Sequence, residues 1–234
     1  MIVENQNTFS IILFVGVGGE SSMEFFLFML FSLIESIALF SISFALYRLK
    51  FTQYLSPSLI MMIIINLVSF YLRKEVELAD YAPVAILVLL VLFMMAVVKM
   101  PAFWALFVSL SGILFFGLLQ TVIIQLSVDY LSLGQIHTYA WKGYFLQTLT
   151  GLLGYSISNF MYKRGIGFSF EFVQPLFKRV TLISMIVIIL IALAFGAVLF
   201  IGNSYIASII YFIGLAFLLY FALKKEVEDA GTGI

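Results

Sequence analysis

From Phe25 to Tyr47 the chain is apolar except for a few serines and one charged side chain, Glu35. A helix over those residues is long enough to cross a hydrocarbon core of roughly 30 Å. Six more apolar windows follow, at 56–72, 82–98, 101–125, 143–162, 180–201 and 205–223. Each is apolar nearly all round, so lipid is its solvent and its backbone hydrogen bonds must close within the segment. Composition agrees: 64% of the 234 residues are hydrophobic and 10% charged, with a mean hydropathy of +1.17, far more apolar than a soluble core needs. The expected fold class is an all-α polytopic integral membrane protein, a bundle of seven transmembrane helices. Strands are not expected.

Pro57, Pro83 and Pro101 stand at or near the first turn of a span, where a missing N–H costs little. Only Lys99, Met100 and Pro101 separate the third and fourth spans, which requires a tight turn. With the first helix starting outside, Arg48, Lys50, Lys99, Lys163, Arg164, Lys178, Arg179, Lys224 and Lys225 fall inside. Arg73, Lys74 and Lys142 fall outside. This bias orients the bundle with its N-terminus outside and its C-terminus in the cytoplasm, in the inner or cytoplasmic membrane of a bacterial-type cell.

Residues 1–22 lack a positive n-region and are too weakly apolar for a span. "GGESSM" reads back into a purine-rich ribosome-binding sequence before Met23, so synthesis starting at Met23 is one expectation and a loose outer extension with a Gly/Ser linker is the other. The division is therefore 1–22 extension, 23–223 seven-helix domain and 224–234 short cytoplasmic tail.

The absence of cysteine and the single histidine, His137, exclude disulfides, thiolate catalysis and a Cys/His metal site built from this chain alone. Acidic and basic residues cancel, which gives no case for nucleic acid. Ser156 has no base within reach, and no paired carboxylates at helical spacing, phosphate-cradling glycine loop or dinucleotide fingerprint appears. The expectation is no enzyme, no cofactor and no metal. The aromatic-rich connection 127–142, with Tyr130, Tyr139 and Trp141, reads as an interfacial belt or as a lid.

An ionisable residue inside a span marks a functional site by default, and Glu35 lies near mid-depth with Ser32 on its face and Ser36 beside it. Asn66, Gln120, Gln125, Gln147 and Thr150 all fall in the outer half of the bilayer in this topology. With Glu35 they form the candidate ligand-binding set, as the lining of an outward-opening polar cavity. The plainer account is structural: a carboxyl bonding to a neighbouring helix, and small residues such as Gly117, Gly151 and Gly154 letting helix backbones approach.

The segment "KRGIGFSFEFVQPLFKR" (163–179) has basic pairs at both ends and is too short to cross. If it is extended, Phe168, Phe170 and Phe172 share one side. That side either rests in membrane lipid, with the basic pairs on anionic headgroups, or forms a docking edge for a cytoplasmic protein.

"ESIALFSISFALYRLKF" (35–51) and "VVKMPAFWALFVSLSGILFFGLLQTVIIQ" (97–125) resemble the multi-span sensor portions of accessory-gene-regulator-type histidine kinases, which detect secreted peptides. In that family a cytoplasmic dimerisation and ATP-binding region follows the last span. "LKKEVEDAGTGI" (223–234) carries no such region, so the resemblance implies a sensor module whose output passes through another protein. Three functions follow as expectations: a non-enzymatic receptor binding a small or peptide ligand from outside and acting through a cytoplasmic signalling partner; a small proton-coupled transporter using Glu35; or an accessory subunit of a membrane complex.

Overall fold

The computed structural model describes residues 22–74, 78, 81–128, 130–131, 133–170, 172, 179–199 and 203–232. Among them the regular structure is entirely helical: α1 (Ser22–Ala45), α2 (Leu55–Lys74), α3 (Ala82–Ala96), α4 (Ala102–Leu126), α5 (Leu133–Thr138), α6 (Ala140–Lys163), α7 (Arg179–Leu199) and α8 (Ser204–Thr232), with one 3-10 turn at Phe51–Tyr54. Each of the seven apolar windows falls on one of these helices. Four stretches are long and apolar enough to cross a bilayer: Met23–Ala45, Phe51–Arg73, Ala102–Leu126 and Ser204–Gly231. Two shorter apolar helices, Ala82–Ala96 and Met185–Val198, accompany them. The chain is a multi-pass helical membrane protein. Most of residues 1–22, with the acids at 75, 77, 80, 129 and 171, Pro175 and Lys178, lie outside the described residues.

The α1–α2 and α3–α4 turns meet the start of α6–α7 at one end of the bundle. Arg48, Lys50, Lys99, Lys163, Arg164, Lys224 and Lys225 lie there, at the basic end, while Arg73 and Lys142 lie at the other. At the turn between α3 and α4, Lys99 takes φ 63° and the Met100 N–H reaches back to the Met94 carbonyl at 3.1 Å. This left-handed closure reverses the chain within a few residues, as the short "KMP" connection requires.

α4 is the central helix. Of its apolar window 67% is buried, against 28% for α2, and it touches α1, α3, α6, α7 and α8. The most extensive contact is between α1 and α6. Its cause is the small-residue seam: a Cβ on Gly151 would stand 2.7 Å from Ile34 Cγ2 and 3.1 Å from the Ile34 carbonyl oxygen, and one on Gly154 3.0 Å from Ala38 Cβ. Gly117 of α4 makes the matching notch for the Tyr211 ring of α8. Helices without a hydrophobic drive between them associate through such close packing.

Two elements depart from expectation. The connection 127–142 contains the short helix α5, and the segment expected as a short tail from residue 224 is helical: α8 continues through it to Thr232, with Lys225 and Asp229 paired one turn apart.

Phe168, Phe170 and Phe172 share one side, but that side faces the protein. The Phe168 N–H bonds to the Leu46 carbonyl at 2.9 Å, and Phe170, 6% exposed, packs its ring 5.0 Å from Trp104 and 6.1 Å from Tyr47. Gly167 permits the approach, since a Cβ there would meet the Ala45 carbonyl oxygen at 2.6 Å. The Ser169 N–H and hydroxyl both donate to Glu226 Oε1, at 3.0 and 2.8 Å. Unlike a presented docking edge, the rings close the basic end of the bundle, because the ends of α1, α4 and α8 offer them more apolar contact than an exposed surface would.

Candidate functional site

Glu35 lies near the middle of α1, the helix that touches α2, α4 and α6. It is fully buried, and both its carboxyl oxygens are held. Gln120 Nε2, from α4, donates to Oε1 at 2.9 Å, and Gln147 Nε2, from α6, donates to Oε2 at 3.2 Å. The same Gln147 amide makes a longer 3.5 Å contact with Ser32 Oγ, one turn earlier on α1. Three helices therefore meet on one side chain.

A second polar pair lies beside the first. Ser36 Oγ donates to Asn66 Oδ1 of α2 at 2.9 Å, and both residues are fully buried. Along the same face of α2, Ser69 accepts from Arg73 Nε at 3.2 Å. Asn66, Ser69 and Arg73 follow three- and four-residue spacing, which is what places them on one face. Arg73 is thus part of the helix, although its position next to Lys74 and Glu75 reads in sequence as connecting loop.

Of the six residues expected to bind a ligand, the fold brings Glu35, Gln120 and Gln147 into direct contact and sets Asn66 beside them through Ser36. Thr150 is buried on the same α6 face, where its hydroxyl donates to the Leu146 carbonyl at 2.9 Å. Gln125 is elsewhere: its amide donates to Ser208 Oγ at 2.6 Å and approaches the Ser204 carbonyl at 3.3 Å, tying α4 to α8. Glu35, Ser36, Asn66, Gln120 and Gln147 have no solvent-accessible surface, so the cluster is closed in this conformation.

The cluster has spare hydrogen-bonding capacity. Gln120 Oε1 and Asn66 Nδ2 are buried without a partner, one an acceptor and one a donor. Unmet polar atoms in an apolar interior are costly. No set of three or more metal-ligating side chains occurs among the described residues. Ser156 faces outward and donates to the Leu152 carbonyl at 2.7 Å.

At the opposite end from the basic residues, Lys142 is 8% exposed, donates to Gln135 Oε1 at 2.9 Å and lies 4.5 Å from the Tyr130 ring centroid, with Tyr139 and Trp141 alongside. These contacts fasten the segment around α5 to the start of α6.

Comparison with known proteins finds no matching family model, no matching curated protein and no matching solved structure.

Proposed function

We propose that the chain is a seven-span, N-terminus-out receptor of the cytoplasmic membrane. It binds a small or peptide ligand from the outer side and acts, without catalysis of its own, through a cytoplasmic partner. The observation that carries this reading is the clasp on Glu35 by amides from two other helices. A ligand shifts a helix bundle only if it contacts two arrangements unequally. Competition for one of these hydrogen bonds does that, because each bond joins α1 to a different neighbour. The charge bias supports the topology, and the resemblance to the sensor portions of peptide-detecting kinases supports the ligand class. Leu46 and Tyr47, directly after the end of α1, belong to the basic-end cluster, so a displacement at Glu35 has the rest of α1 to travel along toward it.

Because the chain lacks cysteine, a Leu46→Cys/Phe168→Cys pair reports on that end without background. In intact cells, the small-molecule fraction of spent medium from the producing strain should change the crosslinking rate in this pair, and Glu35→Ala should abolish the change. An unchanged rate in the otherwise wild-type pair would reject the receptor reading. The enclosure of Glu35 between three helices favours a second reading, proton-coupled transport. Proton flux into reconstituted vesicles that Glu35→Gln eliminates would establish that reading instead.

A further inference from the structure

The seam between α1 and α6 is closed at Gly151 and Gly154 and opens toward the basic end. There the last turns of α1, the α1–α2 connection and the end of α6 line a small, half-open cleft. Phe51 contributes apolar wall, while Ser41 of α1 and Ser158 of α6 line the interior. Ser41 is only 4% exposed, and its hydroxyl is buried with no hydrogen-bond partner. Lys50 and Asn159, both exposed, belong to the same lining, which contains no acidic side chain.

We propose that this cleft is a binding site for one anionic phospholipid, with the phosphate at Lys50 and the glycerol-ester oxygens against Ser41 and Ser158. Three observations converge on that occupant. The lining is amphipathic, and α6 beside it turns the exposed apolar side chains of Leu152, Leu153 and Phe160 outward, so an occupant with both a charged and an apolar part fits it better than a soluble anion does. The Ser41 hydroxyl, one helical turn inside the Ala45 end of α1 and about 6 Å deeper, needs an oxygen partner where water is scarce. A phospholipid presents ester carbonyls in that order, beneath its phosphate. Lys50 supplies the charge, and Lys163 and Arg164 at the end of α6 add to a positive field near the mouth.

The test is photolabelling of the full chain in phosphatidylcholine vesicles that contain a phosphatidylglycerol with a diazirine in its acyl chain. Label should concentrate on peptides spanning 41–52 and 155–162, above its level at the exposed α2 residues Ile60 and Ile63. Unlabelled phosphatidylglycerol should compete, while added phosphatidylcholine or inorganic phosphate should not. Removing one basic contact is worth about five-fold in occupancy, so Lys50→Glu should reduce cleft labelling by at least that factor. Asn159→Trp should reduce it by filling the mouth, and Lys224→Glu, at the same end outside the cleft, should leave it unchanged. All three positions are exposed, so the variants keep the fold. Uniform labelling of cleft and α2, equal competition by phosphatidylcholine, displacement by inorganic phosphate, or equal loss in Lys50→Glu and Lys224→Glu would each overturn the proposal.

Discussion

Glu35 is held by donors rather than by a paired cation in contact with it, and this decides what each substitution does. Glu35→Gln keeps a side chain of the same shape with an oxygen for one amide, so we expect a thermal midpoint in detergent close to wild type. Glu35→Ala leaves the Gln120 and Gln147 amides facing apolar surroundings, a loss of about 1–3 kcal/mol, and the midpoint should fall clearly. Equal midpoints for the two variants would mean that the clasp contributes nothing to packing. Glu35 was legible in sequence because it is the one charge in its run. Gln125 was misgrouped because depth along a helix says nothing of direction around it. Five residues separate it from Gln120, a rotation of about 140° at 3.6 residues per turn, so the two amides address different neighbours.

The α1–α6 pair rests on two glycines, and the packing predicts which glycines matter. Gly151→Val forces a branched side chain into Ile34 and its backbone, and overpacking of this kind costs about 1–3 kcal/mol. Gly196 of α7 has nothing within 4 Å of its Cβ position, so Gly196→Ala should be neutral or mildly stabilising through helix propensity. Thermal unfolding of the two variants side by side checks this, and the reverse ranking would refute the seam. The helices themselves were readable because lipid permits little else than a helix over such apolar lengths. The aromatic strap, the stretch that carries Phe168, Phe170 and Phe172 across the basic end, was only half readable: period-two alternation tells which rings share a side, but not whether that side faces protein, lipid or a partner. That choice depends on Trp104 and Tyr47, distant in sequence and brought together only by the fold.

For the molecule as a whole, the separation of basic residues predicts which surface faces the cytoplasm. With N-terminus-out topology, a membrane-impermeant maleimide should label Tyr139→Cys in intact cells and should reach Thr52→Cys only after the membrane is opened. The opposite pattern would invert the topology. One helix extends past the basic end of the bundle. α8 does not stop where its apolar residues stop; it runs on to Thr232 as one helix, and Glu226 in that extension grips Ser169 of the strap. An arm rigidly continuous with a span acts as a lever, with the strap as the load fastened partway along it. A protein that took hold of the projecting tail would pull directly on the seal at the end of α1 and α4. Breaking the arm between span and grip, as with Lys224→Pro, should let the strap move independently of the tail.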